Sequence, residues 1–219
     1  MARTYFTAGL IGAALLAAAP AMAGEFDWGG AYIGAQVGYA SGESATVYPG
    51  FASFSDNEPE GALGGLYAGY SWSLSGAAVL GIEVDFAAAD ISDDGFVNNG
   101  VVITNATVTT DVKWTGAVRG RLGYAFGRVL PYIAGGLALA DVETVYQDAS
   151  GGAPGPDSAT YVGWTIGAGA EFALSPNLIG RVEYRYSDYG EEGFDSGVTV
   201  PTETDLTTHD VRIGLAYRF

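Results

Sequence analysis

The sequence predicts an all-β fold: an eight-stranded antiparallel up-and-down transmembrane β-barrel, preceded by a cleaved signal peptide. Three observations predict it. Eight stretches alternate bulky apolar residues with small or charged ones, the period-2 signature of a strand. Their connections run long, short, long, short, long, short, long, as an up-and-down meander gives when one end of every hairpin is free to grow. Basic residues sort by parity onto the small-residue side of the strands.

The chain has 219 residues, 34 Gly, 14 Tyr and no Cys. That length suits one all-β barrel. The absence of Cys excludes disulfides, thiolate metal sites, Cys nucleophiles and lipoprotein-type anchoring. The net charge of -16 argues against nucleic acid as a partner. At the N-terminus, Arg3 precedes a small, apolar run from Ala8 to Ala19 and then Ala21-Met22-Ala23. A short basic region, an apolar region and an A-x-A site make a secretory signal peptide. Residues 1–23 are read as that peptide and 24–219 as the barrel domain. A membrane anchor is the other reading, but a spanning helix needs about 20 strongly apolar residues.

The first strand alternates Ala31, Ile33, Ala35, Val37 and Tyr39 with Tyr32, Gly34, Gln36 and Gly38. A polar stretch, 41–60, with two prolines reads as a long loop. The second strand puts Leu66, Ala68, Tyr70 and Trp72 on one face. A tight turn at Leu74-Ser75-Gly76 leads to the third, with Leu80, Ile82, Val84 and Phe86 opposite Gly81, Glu83 and Asp85. The second long loop is 90–105. The fourth strand groups Val112, Trp114, Val118, Leu122 and Tyr124 against Lys113, Thr115, Arg119 and Arg121. After Gly127-Arg128-Val129 the fifth strand has mixed parity, because Ile133, Leu137 and Leu139 compete with Tyr132, Ala134 and Ala138. A bulge at Gly135-Gly136 would accommodate both.

The third long loop is 144–159. The sixth strand sets Val162, Trp164, Ile166, Ala168, Ala170 and Phe172 against Gly163, Thr165, Gly167, Gly169 and Glu171. Ser175-Pro176-Asn177 turns tightly. The seventh strand sets Leu178, Val182, Tyr184 and Tyr186 against Arg181, Glu183 and Arg185. A fourth long loop, 188–206, precedes the eighth strand. There Val211, Ile213, Leu215, Tyr217 and Phe219 share one face, and Arg212, Gly214, Ala216 and Arg218 the other.

Parity therefore gathers Glu83, Asp85, Lys113, Arg119, Arg121, Glu171, Arg181, Glu183, Arg185, Asp210, Arg212 and Arg218 on the small-residue faces. In a soluble barrel these would decorate the surface, and the interior would have to hold most of the Trp and many of the Tyr. Turned the other way, the aromatics meet lipid and the charges form a lumenal ion-pair network of structural role. An eight-stranded barrel is just wide enough to be filled by side chains. Only a closed barrel or a helix satisfies its backbone in hydrocarbon.

Several motifs resemble those of a known family. Trp28-Gly29-Gly30-Ala31-Tyr32-Ile33-Gly34, Pro131-Tyr132-Ile133-Ala134-Gly135-Gly136, Gly163-Trp164-Thr165-Ile166-Gly167-Ala168-Gly169 and Tyr184-Arg185-Tyr186-Ser187-Asp188-Tyr189-Gly190 are similar to strands of the alphaproteobacterial outer-membrane immunogenic/porin-like small β-barrel family, OmpA-like transmembrane barrels. The resemblance implies an integral protein of the Gram-negative outer membrane with periplasmic termini. It implies a role in envelope integrity or surface interaction, and carries no catalytic residues. It implies outer-membrane lipid and lipopolysaccharide as surroundings. With no long C-terminal segment after the eighth strand, no periplasmic peptidoglycan-binding domain is expected. The ending Tyr217-Arg218-Phe219 resembles the assembly signal, Tyr217 and Phe219, that the barrel assembly machinery reads. An extracellular ligand would be met by loops 41–60, 90–105, 144–159 and 188–206.

Two other functions fit the sequence less well. A small-solute channel usually needs more strands, 16–18 in porins. A rim enzyme would have to use His209, the one histidine. Adjacent strand residues face opposite ways, so His209 and Asp210 make no natural dyad. No cofactor or metal site is expected: Asp90, Asp93 and Asp94 lack calcium-loop spacing, and the strand glycines open no helix.

Overall fold

The computed structural model describes residues 26–47, 54–57, 60–96, 107–147, 157–194 and 202–219; the signal peptide and the tips of the long loops lie outside them. The wall is built of β1 (Gly30–Val47), β3 (Glu60–Ser73), β4 (Ala78–Phe96), β5 (Thr107–Tyr124), β6 (Val129–Gln147), β7 (Asp157–Ala173), β8 (Leu178–Phe194) and β9 (Thr202–Arg218). A short β2 (Phe54–Asn57) lies along the far end of β1. Each wall strand pairs antiparallel with the next, and β9 returns to β1, from Tyr32↔Arg218 to Val47↔Glu203. The eight-stranded barrel is thus closed, and no spanning strand is left with an unpaired edge.

Three tight turns join the strands at one end. Gly76 and Gly127 take left-handed φ of 78° and 59° there, which side chains resist. At the third turn, Ser175 Oγ accepts hydrogen bonds from the Asn177 and Leu178 amides. The opposite end carries the long connections.

Strands reach 14 to 19 residues, so much of what reads as loop in the sequence is strand. Stretches such as Thr144-Val145-Tyr146-Gln147 and Thr202-Glu203-Thr204-Asp205 mix β-branched and polar residues. They pair well but show no continuous apolar face, because beyond the membrane neither face needs one. The bulge expected at Gly135-Gly136 is not there. Both residues stay in register with β5 and β7, and β6 simply turns Tyr132, Ala134, Ala138 and Ala140 inward. Register shifts fall instead at Ala88/Ile91, Val112/Trp114 and Asp188/Glu191.

The outward surface is apolar, including Val118, Leu137 and Leu66, each about 60% exposed (58%, 63% and 61%). Aromatic pairs mark its two borders. Tyr70–Trp72, Tyr124–Phe126 and Tyr217–Phe219 stand at the turn end, while Phe86–Trp114 and Trp164–Tyr186 stand near the loop end. About nine strand residues separate the rows, roughly 25 Å for tilted strands. That matches the apolar band of an outer-membrane barrel with its two aromatic girdles.

The interior is layered. An apolar cluster of Trp28, Tyr32, Tyr67, Val79, Leu130 and Ile179 fills the turn end. A second, with Leu63, Ile91, Val112, Tyr161 and Tyr189, fills the loop end. Between them lies a belt of charge.

Candidate functional site

The belt is assembled by register. Glu83 of β4 sits directly across from Arg119 of β5, Glu171 of β7 from Arg181 of β8, and Arg185 of β8 from Asp210 of β9. Inward parity then points each side chain at the axis. Ten buried charges meet there: Glu83, Asp85, Glu171, Glu183 and Asp210 with Arg119, Arg121, Arg181, Arg185 and Arg212. Five carboxylates face five guanidinium groups, so the formal charge of the belt is zero.

Glu83 is a hub. It accepts hydrogen bonds from Arg119 Nη2 at 2.6 Å, Arg181 Nη2 at 2.5 Å and Tyr32 Oη at 2.9 Å. Arg121 Nη1 lies 3.4 Å from it. Glu183 accepts from Arg119 Nη1 at 2.7 Å, Tyr132 Oη at 2.6 Å and Arg185 Nε at 3.0 Å. Glu171 bridges Arg121 and Arg181. Asp85 accepts from both Arg185 Nη atoms, at 3.0 and 3.2 Å, and from Arg212 Nη1 at 3.2 Å. Asp210 binds Arg212 through two bonds. Charge-assisted, often two-pronged bonds of this kind are the strong ones, and low dielectric strengthens them further. Guanidinium faces are used as well: Arg121 lies 4.1 Å from the Tyr132 ring centre and Arg181 4.0 Å from that of Tyr67.

Two expected members are elsewhere. Lys113 is exposed, because the shift between Val112 and Trp114 flips local parity, turning Val112 inward and Lys113 out. Arg218 lies at the turn end. It donates to the backbone carbonyls of Asp27, Gly29 and Pro176 and lies over the Phe26 ring. There it clasps the lead-in to the last strand. Asp27 is part of the same clasp. Its carboxyl is held below the usual carboxylate range, first by the Gly29 N–H and further by Ser73 and Arg218, against the opposing effect of partial burial.

Sequence reasoning missed the lumenal tyrosines, Tyr32, Tyr67 and Tyr132. Each is directly across from a glycine: Tyr32 from Gly69, Tyr67 from Gly34 and Tyr132 from Gly169. A Cβ at Gly34 or Gly69 would strike the facing ring. Tyr opposite Gly on an inward face is the signal, an aromatic covering a bare strand position.

His209 packs outward against Tyr184 and Tyr186, with Nδ1 2.6 Å from Tyr184 Oη. Asp210 points into the lumen, so the two neighbours do face opposite ways. Tyr217 and Phe219 lie on the lipid side, and the Phe219 amide bonds Ala31 O.

Comparison with known proteins agrees with this architecture. The 31 kDa outer-membrane immunogenic protein of Brucella melitensis is 36% identical over 206 residues, 89% of this chain and 85% of that protein. The 22 kDa outer membrane protein of Rhizobium leguminosarum is 34% identical over 170 residues, 77% of this chain and 67% of that protein. Among solved structures, the outer membrane protein OprG from Pseudomonas aeruginosa shares the fold, with a TM-score of 0.51, 14% identity, and coverage of 90% and 98% of the two chains. Residues 9–219 match the family described as outer membrane protein beta-barrel domain. The chain belongs to that family, and its strands cross the Gram-negative outer membrane.

Proposed function

We propose that this integral outer-membrane barrel is a structural, surface-presenting protein whose bore is sealed. The observation that carries this reading is the neutral ten-residue belt held between two apolar clusters. A conducting lumen needs a continuous hydrated path, and eight strands leave room only for side chains. The belt instead cross-links β4, β5, β7, β8 and β9 from inside. The role that follows is mechanical: a stiff envelope element whose long strands lift polar segments above lipopolysaccharide. Residues 1–23 act as the export signal, and Tyr217 with Phe219 as the mark read by the barrel assembly machinery.

Planar-bilayer recording of the purified protein tests the sealed bore. The expected record is a flat baseline. Regular steps of general-porin size would replace this reading with that of a small-solute channel.

A further inference from the structure

Of the three lumenal tyrosines, Tyr32 and Tyr132 give their hydroxyls to carboxylates of the belt. Tyr67 does not. Its side chain is buried, and its Oη has no hydrogen-bond partner among the described residues. The ring reaches from β3 across β1 to β9. A Cβ at Gly34 of β1 would stand 2.5 Å from Tyr67 Cζ, and a Cβ at Gly214 of β9 would stand 3.1 Å from its Oη. Two glycines on neighbouring strands therefore let the hydroxyl come to rest beside Gly214.

Gly214 is the middle of a three-strand row. It stands across from Gln36 of β1 on one side and Arg181 of β8 on the other. Two strand spacings, roughly 10 Å, separate the backbones of Gln36 and Arg181, and the position between them carries no side chain. Both residues face inward and are 4% exposed. Each holds a donor that meets no acceptor. On Gln36 it is Nε2. Arg181 gives Nε to Glu171 and Nη2 to Glu171 and Glu83, while its Nη1 has no partner. Its guanidinium carbon lies 4.0 Å from the Tyr67 ring centre, so the same arginine walls the row from the Tyr67 side. Three buried, unpartnered donor atoms thus surround one bare backbone position, and a buried donor left unmet is costly.

The chemistry of the three atoms selects the ligand. Amide and guanidinium nitrogens donate and cannot accept. Among the described residues, no unpartnered buried side-chain atom is a carboxylate or amide oxygen. A water would bring two protons of its own, with only the Tyr67 hydroxyl among these atoms able to take one. A pure acceptor matches all three. Arg181 adds charge: its carboxylate partners sit on Nε and Nη2, and the cationic hydrogens of Nη1 are shared with neither. We infer that the cradle around Gly214 is a binding site for one small monovalent anion of chloride size, held by Gln36 Nε2, Tyr67 Oη and Arg181 Nη1. The site has a structural sense. β1 and β3 give the belt no charged side chain. An anion shared by Gln36, Tyr67 and Arg181 ties both strands to β8 through charge-assisted bonds.

The test uses the whole barrel, refolded into dodecylmaltoside micelles with sodium bromide present throughout, because apolar clusters enclose the lumen at both ends. Crystals measured at the bromine absorption edge are expected to show an anomalous peak within hydrogen-bonding reach of all three atoms. In solution, barrel refolded in sodium chloride is compared with barrel refolded in sodium gluconate at equal ionic strength. A ligand that binds only the folded state raises its stability, so the temperature of the gel-band conversion should be a few degrees higher in chloride. Tyr67→Phe and Gln36→Leu each remove one donor, and each should lose most of that difference while still giving a heat-modifiable band. Thr115→Val is the control. Thr115 is a buried lumenal residue of β5, across the barrel from β9, and its variant should keep the chloride response. A water in place of bromide at the cradle, bromide confined to the outer surface, equal midpoints in chloride and gluconate, or a chloride response that folded Tyr67→Phe keeps or that Thr115→Val loses equally would each overturn the proposal.

Discussion

Glu83 shows what a single lumenal residue carries. Its side chain is fully buried and touches three arginines and one tyrosine. Glu83→Ala leaves those cations short of a partner in a closed space. Unpairing one side of a buried ion pair costs about 3–5 kcal/mol, so the temperature at which the compact gel band converts to the unfolded one should drop clearly. An unchanged midpoint would show that the belt does not hold the barrel. Tyr132→Phe is gentler. It removes only the hydroxyl that bonds Glu183 and should cost about 1.5–3 kcal/mol, the range for a bond to a charged group. Urea titration in micelles reads that difference. Asp27 makes a pH prediction. Its carboxyl is depressed in the folded state, so its stabilisation is present above the ordinary aspartate range and fades as pH falls through the folded value. Asp27→Asn should flatten that acid-side slope by removing the stabilisation at neutral pH, and the two proteins should converge in acid, where Asp27 is protonated.

At the scale of a strand, parity was legible in the sequence wherever one face had to meet lipid. It places ten of the twelve charges on the small-residue faces inside because each stands between two lipid-facing residues on an unbroken strand. Lys113 escapes the rule since a register shift beside it leaves no mark in composition. Arg218 escapes it since backbone carbonyls of the lead-in lie nearer than any carboxylate of the belt. Strand length was under-read for a related reason: above the membrane the alternation of apolar and polar residues disappears while the pairing continues. In β6 the two parities looked equal because alanines fill one face and leucines the other. Only the neighbours' register decides between them. Close approach between strands gives a test. A Cβ at Gly136 would collide with the Val118 carbonyl oxygen. Gly136→Val should therefore push β5 and β6 apart and destabilise the barrel by about 1–3 kcal/mol, seen as a lowered gel-shift temperature.

For the whole molecule, closure between β1 and β9 makes the end of the chain the final seam. Phe219→Ala removes an exposed aromatic and leaves the ladder intact. It should lower the amount of folded barrel in cells severalfold, while refolding of the purified chain into micelles proceeds nearly as before. Equal loss in both settings would make Phe219 a packing residue and not an assembly mark. The belt also ties together distant parts of the chain. Arg181 reaches Glu83 across 98 positions, and Arg212 reaches Asp85 across 127. A wall assembled only from β4 to β7 would hold Glu83, Asp85 and Glu171 beside Arg119 and Arg121, without the three arginines of β8 and β9. Its concave side would keep its water until those strands arrived. Contacts so far apart in sequence also form slowly. Loss of internal water is therefore tied to the last two strands, which deliver three of the belt's five arginines.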